Sequence, residues 1–181
     1  MLNRLEIRNF KSIRNAQLDL RALNVVIGPN GAGKSNLIGA FRLLDKILQQ
    51  RLQEYVSRQS GAARILPMGR QSRQICRCNS NIGRNGCSFT LAPSTSDGLF
   101  FLREETHFRG DRTPYGGPVL GIGHKEALLP SEAGKPDQRV PYYVMQGVRD
   151  WTVYHFHDTS TPARPNRRRM WTTTGSFGLT P

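Results

Sequence analysis

The strongest pattern in this chain is the stretch Ile27-Gly28-Pro29-Asn30-Gly31-Ala32-Gly33-Lys34-Ser35-Asn36. It fits the motif G-x-x-x-x-G-K-[ST], which is typical of a phosphate-binding P-loop. An apolar run from Leu23 to Ile27 precedes it and predicts a buried strand, and a long helical pattern follows it. The order strand, loop and helix is the context in which this motif holds a nucleoside triphosphate. The sequence therefore predicts a nucleotide-binding site.

The residue types of this loop match the chemistry of phosphate binding. Glycine permits backbone conformations and a close approach to an anion that a Cβ atom would block. Successive N–H groups and the positive end of the following helix then form a nest for a phosphate. We expect Lys34 to contact the β- and γ-phosphates of ATP and the Ser35 hydroxyl to ligate Mg²⁺. The predicted binding residues are Gly28, Pro29, Asn30, Gly31, Ala32, Gly33, Lys34, Ser35 and Asn36. The alternative is that the glycines only make a tight turn between a strand and a helix.

Length and composition limit the kind of protein this is. A chain of 181 residues can hold one core of ordinary size with a small subdomain, and 37% of the residues are hydrophobic. No apolar run approaches the roughly 20 residues that span a bilayer, and the first residues do not open a signal peptide. We therefore expect a cytoplasmic protein.

The net charge of +13 is concentrated in two stretches. Residues 64–88 contain five arginines and no acid, and residues 161–181 contain four arginines and no acid. The basicity is thus local, and it supports an alternative hypothesis of a nucleic-acid-binding module without turnover, carried by Arg167, Arg168, Arg169 and the stretch from Arg64 to Arg84.

Two groups of residues with metal-binding side chains are weak candidates. The first group is Cys76, Cys78 and Cys87, in which Cys76-Arg77-Cys78 is too closely spaced for a usual zinc knuckle and no histidine follows at finger spacing. His155 and His157 would share one face of a strand, with only Asp158 nearby as a third ligand. A metal site is the less favoured interpretation for both groups.

Periodicity predicts the secondary structure. Strands are expected from Leu2 to Phe10, from Ala16 to Leu20, at 88–91 and at 99–102, with Asn85-Gly86 as a two-residue hairpin turn. A helix of about six turns is expected from Ser35 to Val56, ended by Ser60-Gly61. Gly110 to Gly123 is expected to be a loop, and the adjacent His124 is expected to be structural or at the surface rather than catalytic. A helix is expected near Pro141, with an apolar face of Tyr142, Val144, Met145 and Val148. Residues 151–160 are predicted to be a buried strand that runs into a polar turn.

Three segments together resemble a known family. Leu5-Glu6-Ile7-Arg8-Asn9-Phe10-Lys11-Ser12-Ile13, then Asn24-Val25-Val26-Ile27, then the P-loop are similar to the N-terminus of RecF/SMC-like ATPases with an ABC-type head, more narrowly the bacterial predicted AAA-family ATPases. The resemblance implies an α/β P-loop NTPase fold with an antiparallel β-subdomain. It also implies that Lys11 and Ser12 contact the base of ATP, although a solvated turn is an equally good interpretation.

The resemblance further implies a function and a partner. A complete member would hydrolyse ATP as a head-to-head homodimer around two ATP and act on DNA, in repair or in defence against foreign DNA. Such hydrolysis needs a Walker B strand that ends in Asp-Glu, and no run of four apolar residues followed by Asp-Glu occurs here. We therefore expect no catalytic residue in this chain, and nucleotide binding with little or no hydrolysis.

The resemblance extends over residues 1–160, which we expect to form a partial head that is incomplete at its C-terminus. Residues 161–181 are expected to be a basic tail. Because the resemblance fails in residues 66–84 and 161–181, a frame-shifted translation of both is one hypothesis, and a divergent loop with a disordered tail is the other. A non-functional product of a damaged gene is a third possible interpretation of the chain.

Overall fold

The computed structural model describes residues 1–67, 76–110 and 114–149. It contains six strands and four helices, in the order β1 (Arg4–Phe10), β2 (Ile13–Asp19), α1 (Lys34–Leu48), α2 (Leu52–Arg58), β3 (Cys76–Ile82), β4 (Asn85–Pro93), β5 (Leu99–Arg109), β6 (Pro114–Gly121), α3 (Leu129–Glu132) and α4 (Arg139–Arg149). A 3₁₀ turn at Ala62–Arg64 follows α2. The predicted mixture of helices and antiparallel strands is confirmed.

The six strands form one antiparallel sheet in the order β2-β1-β3-β4-β5-β6. Its inner face carries the buried side chains of Ile7, Phe89 and Glu104. Its outer face carries paired polar groups, such as Glu6 with Arg8 and Glu105 with Arg103. A sheet that is apolar on one face and polar on the other is typical of antiparallel structure covered on one side only.

The core lies between the inner face of the sheet and the helices. Buried side chains from all these elements form one cluster, whose largest members are Phe10, Phe101, Leu5, Ile47, Leu52, Ile65, Leu91, Leu99 and Leu129. Val144 and Val148 of α4 are buried in this cluster, as the sequence predicts. Tyr142 is predicted on the same apolar face, but it is 47% exposed and packs edge-to-face against Tyr143 instead.

A β-bulge in β5 reverses which side chains point inward. Thr90 pairs with Arg103 and Leu91 pairs with Phe101, so Leu102 has no partner on β4. Since side chains alternate along a strand, one extra residue exchanges the two faces beyond it. Leu102 is therefore 43% exposed, whereas Glu104 is buried.

The single helix predicted from Ser35 to Val56 is two helices in the structure. α1 ends at Leu48, where Gln50 adopts a left-handed conformation with a φ of 56°. The Arg51 N–H bonds to the Lys46 carbonyl and the Gln50 N–H to the Ile47 carbonyl, which is the Schellman arrangement that closes a helix.

The break is stabilised by a residue that is distant in sequence. The Glu126 carboxylate accepts hydrogen bonds from the backbone N–H groups of Leu52 and Gln53, at 2.7 and 2.9 Å. These groups begin α2 and have no partner within the helix. Periodicity alone could not show this contact, although the predicted end at Ser60-Gly61 is confirmed by the end of α2 at Arg58.

The hairpin between β3 and β4 turns two residues earlier than predicted. Ile82 pairs with Asn85, so the turn is Gly83-Arg84, and Gly83 has a φ of 61°. A positive φ at the first central position suits a type II′ turn. The predicted turn residue Gly86 lies inside β4, where an added Cβ atom would stand 2.0 Å from the His107 Nε2 atom. Its small size therefore serves close packing rather than a turn.

Part of the loop predicted from Gly110 to Gly123 is a strand. β6 pairs with β5, for example through Tyr115 with Phe108. Glycine and proline are depleted in strands in general, but an edge strand tolerates proline because one of its sides makes no ladder hydrogen bonds. This segment becomes a strand because it pairs with the long strand β5, and its own composition does not predict that pairing.

The buried strand predicted from Leu23 to Ile27 is not formed in the structure. These residues have no strand assignment, and Leu23 and Ile27 are 80% and 87% exposed. A strand that is buried on both faces needs hydrogen-bonding neighbours and covering helices. No element of the described ranges pairs with this segment, so its apolar side chains remain at the surface.

Candidate nucleotide-binding site

The P-loop joins the segment Leu23–Ile27 to α1 and has the backbone that its glycines predict. Gly31 and Gly33 are left-handed, with φ values of 84° and 88°. No atom lies within 4 Å of where a Cβ atom of either residue would stand, so what favours glycine is the backbone conformation. The Asn36 and Leu37 N–H groups both bond to the Gly33 carbonyl, which fixes the start of α1 at Lys34.

The N–H groups at the entrance of α1 are available to an anion. Within the ranges that the structure describes, the backbone N–H groups of Gly31, Gly33, Lys34 and Ser35 have no hydrogen-bond acceptor. They stand at the N-terminus of a 15-residue helix, where the aligned peptide dipoles also favour negative charge. This arrangement fits a phosphate group.

The two side chains predicted to act on the nucleotide lie at the same place. The Lys34 ammonium donates to the carbonyl oxygens of Gly28 and Pro29, at 2.5 and 2.7 Å, so it lies across the loop. Ser35 is exposed at the helix entrance. The site therefore has a cation and an exposed hydroxyl beside the N–H groups, which fits the phosphates of ATP and one ligand position of Mg²⁺. That Lys34 and Ser35 bind these groups stays a prediction.

The Lys11-Ser12 turn between β1 and β2 lies against the P-loop helix. Phe10 pairs with Ile13, so Lys11 and Ser12 are the two turn residues. The Ser12 hydroxyl accepts a hydrogen bond of 2.6 Å from the Asn36 side-chain amide. The structure thus brings together Ser12 and Asn36, both predicted site residues from different parts of the sequence, although it does not test a contact with the base.

Lys11 is constrained in both its backbone and its side chain. Its φ is 49°, and its N–H donates to the Ile65 carbonyl at 2.8 Å. Its ammonium donates to the Gln59 side chain at 3.1 Å and lies 5.7 Å from the centre of the Phe10 ring. Burial, with a smaller effect from the nearby Arg42, lowers the pKa of Lys11 below its usual range.

An open pocket of about 500 Å³ adjoins this turn. It is lined by Lys11, Ser12, Arg14, Ala63, Arg64, Leu66 and Pro67. The sequence predicts no role for Arg14 or for Leu66 and Pro67, because no motif joins them to the turn. Arg64 stands out in the sequence only for its place in a basic stretch.

His124 has a structural position, as expected. Its Nε2 atom is 2.7 Å from the buried Glu104 carboxylate, and its ring stacks on Phe101 with 4.6 Å between centres. Other predicted features lie outside the described residues, namely His155, His157 and Asp158, the strand at 151–160 and the arginines of the tail. In the described ranges no group of three potential metal ligands of the His, Cys, Asp or Glu types occurs. No helix in those ranges is long and apolar enough to cross a membrane.

Comparisons with known proteins find similarity in the N-terminal part of the chain. Residues 1–75 match the model of a family described as AAA ATPase domain. OLD nuclease of Thermus scotoductus is 41% identical over 44 residues, which are 24% of this chain and 8% of that protein. Chromosome partition protein Smc of Methanocaldococcus jannaschii is 42% identical over 41 residues, or 22% of this chain and 4% of that protein.

A third relative matches a segment of similar length. DNA replication and repair protein RecF of Magnetococcus marinus is 50% identical over 44 residues, which are 24% of this chain and 12% of that protein. The matched segments thus span only a small part of each relative. The resemblance drawn from the sequence is confirmed: residues 1–75 match the AAA ATPase domain model, and segments of about 40 residues are similar to RecF and Smc.

Proposed function

We propose that this chain binds Mg²⁺–ATP at the P-loop from Gly28 to Asn36. The observation that carries the proposal is the set of four unpartnered N–H groups at the entrance of α1, held by left-handed Gly31 and Gly33 in the part of the chain that the structure describes. Lys34 would contact the β- and γ-phosphates, and the Ser35 hydroxyl would be one Mg²⁺ ligand. The ion would neutralise phosphate charge. Lys11 and Ser12 would lie on the base side.

We further propose that the complete ATPase hydrolyses ATP as a head-to-head homodimer and acts on DNA. Support comes from the AAA ATPase domain match and from relatives whose names refer to DNA replication and repair and to chromosome partition. In this proposal residues 1–160 form a partial head and residues 161–181 form a basic tail. Within the described ranges no carboxylate pairs with Lys34 or bonds to Ser35. We therefore expect this chain alone to bind ATP with little or no hydrolysis.

Titration of the whole chain with ATP and Mg²⁺ in a calorimeter tests the site. Lys34→Ala should weaken binding at least about tenfold, because the variant loses the side-chain cation placed on the loop. Lys46→Ala is a matched control, since Lys46 lies in the same helix but bonds to Gln49 and pairs with Asp45. Equal affinity in the wild type and Lys34→Ala would overturn the assignment.

A further inference from the structure

Two side-chain amides from different helices hold the Lys11-Ser12 turn. The Asn36 amide, in the first turn of α1, donates to the Ser12 hydroxyl at 2.6 Å. The Gln59 amide oxygen, directly after the last residue of α2, accepts a hydrogen bond of 3.1 Å from the Lys11 ammonium. The first pair is 24 residues apart in the sequence and the second pair 48. Each residue of the turn therefore has its own amide partner, supplied by a distant part of the chain.

Both amides are attached to backbone that is itself hydrogen-bonded. The Asn36 N–H donates to the carbonyl of Gly33, within the P-loop, at 3.0 Å. The Gln59 N–H donates to the carbonyls of Tyr55 and Val56 at 3.1 Å each, and these two residues are buried in the core. A partner on a fixed backbone restricts a side chain at a lower cost in entropy than a second mobile side chain would. The amides are thus suited to orient the turn.

The turn has a conformation that depends on its surroundings. Lys11 has a φ of 49°, in the left-handed region that non-glycine residues seldom adopt, and such residues cluster at ligand sites. Its ammonium is near the like charge of Arg42, which contributes to the lowered pKa of Lys11 after burial. The Gln59 amide is a neutral acceptor. It therefore directs the ammonium without cancelling its charge, as a carboxylate would.

The two hydrogen bonds leave donors on the turn for a ligand. An ammonium has three N–H donors and a hydroxyl both donates and accepts. Among the contacts of the described residues, Gln59 occupies one donor of Lys11, and Asn36 occupies an acceptor position of Ser12. The remaining donors match the acceptor nitrogens of a purine base. Because Asn36 directly follows Ser35, its bond to Ser12 also fixes the turn relative to the phosphate end of the site.

We propose that Asn36 and Gln59 are positioning residues for ATP, which hold the Lys11-Ser12 turn in the conformation that receives the base while the P-loop holds the phosphates. This inference rests on the proposed function, in which the turn lies on the base side. Asn36 acts through Ser12 and Gln59 acts through Lys11. A turn that is oriented before the ligand arrives loses less freedom on binding, so the two amides raise the affinity for ATP.

Calorimetric titration of the whole chain with two Mg²⁺-bound ligands, ATP and inorganic tripolyphosphate, tests this role. Asn36→Ala and Gln59→Met should each weaken ATP binding about threefold to tenfold, the range expected for one lost hydrogen bond. Tripolyphosphate has no base, so its affinity should change by less than about twofold. Gln59→Glu keeps an acceptor oxygen for the ammonium and should retain the wild-type ratio of the two affinities. A wild-type ratio in Asn36→Ala or Gln59→Met would overturn the proposal.

Gln53→Ala is a matched control for a purely structural role. Gln53 is also an amide of α2, but it donates to the carbonyls of Leu99 and Lys125, away from the turn. The variant should leave the ratio of the ATP and tripolyphosphate affinities unchanged, even if it lowers the stability of the fold. An equal change of the ratio in Gln53→Ala and Gln59→Met would overturn the proposal, because any loosening of α2 would then have the same effect.

Two further variants separate this inference from the proposed function. Ser12→Ala/Asn36→Ala should bind ATP no more weakly than Ser12→Ala alone, since Asn36 acts through Ser12, and additive losses would contradict this. Lys34→Ala should weaken both ligands, because both have phosphates. If it weakens neither, the proposed phosphate site is wrong and the positioning role is lost with it. If it weakens both while Gln59→Met keeps the wild-type ratio, only the positioning role is wrong.

Discussion

Replacement of Glu104 should destabilise the protein far more than replacement of its neighbour Glu105. Glu104 is 1% exposed and accepts three hydrogen bonds, from His124 Nε2 at 2.7 Å and from the Leu128 and Leu129 N–H groups at 2.8 and 3.0 Å. Glu105 is on the outer face of the same strand and bonds to Arg103 and Ser88. The pair therefore compares one side chain type in two environments.

The magnitude follows from the donors that would lose their acceptor. A buried donor without an acceptor costs about 1–3 kcal/mol. Glu104→Ala leaves three donors without their acceptor, so it should lower the free energy of unfolding by about 4 kcal/mol. Glu104→Gln keeps one acceptor oxygen and turns an amide toward another donor, so it should cost about 2 kcal/mol. Glu105→Gln removes a partly exposed ion pair and should cost less than about 1 kcal/mol.

Urea unfolding followed by circular dichroism measures these differences. With a slope of about 2 kcal/mol per molar urea, the midpoint of Glu104→Gln should fall by about 1 M, and that of Glu105→Gln by less than about 0.5 M. The two glutamine variants remain informative even if Glu104→Ala does not fold. Equal midpoints for Glu104→Gln and Glu105→Gln would refute the reasoning that the bulge at Leu102 places a carboxylate at a structural position in the core.

Two further predictions concern titratable groups of the sheet. Burial lowers the pKa of His107, although the nearby Glu105 carboxylate raises it in part. His107 therefore takes up a proton at a higher pH in the unfolded chain than in the folded chain. Stability should therefore fall as the pH drops below about 6.5, and His107→Gln should show a smaller fall of the urea midpoint between about pH 7.5 and 5.5; an unchanged fall would contradict this. Burial raises the pKa of Cys87 to about 12. In a Cys76→Ser/Cys78→Ser background, a thiol reagent at about pH 8 should therefore label the protein only after unfolding, and rapid labelling of the folded protein would show that Cys87 is accessible.

The sequence alone determined the features that depend on neighbouring residues. The glycine spacing of the P-loop predicts the left-handed backbone at Gly31 and Gly33, because only adjacent peptide units are involved. Alternation of apolar residues predicts β1, and Ser60-Gly61 marks the end of α2 for the same local reason. The similarity to AAA ATPase domains is also carried by residues that are close together in the chain.

The tertiary structure alone decided features in which distant residues compete with local preference. The Glu126 carboxylate binds a backbone N–H group at the start of α2 and so supports a break between two helices where the apolar residues continue at helical spacing. The bulge at Leu102 exchanges the two faces of β5. The apolar segment Leu23–Ile27 shows the converse, since a strand forms only where another strand supplies hydrogen bonds and none does so in the described ranges. The pocket of Lys11, Arg14 and Arg64 likewise exists only because a turn and a distant segment meet. Local sequence sets backbone conformation, whereas burial, pairing and charge grouping depend on which parts of the chain come together.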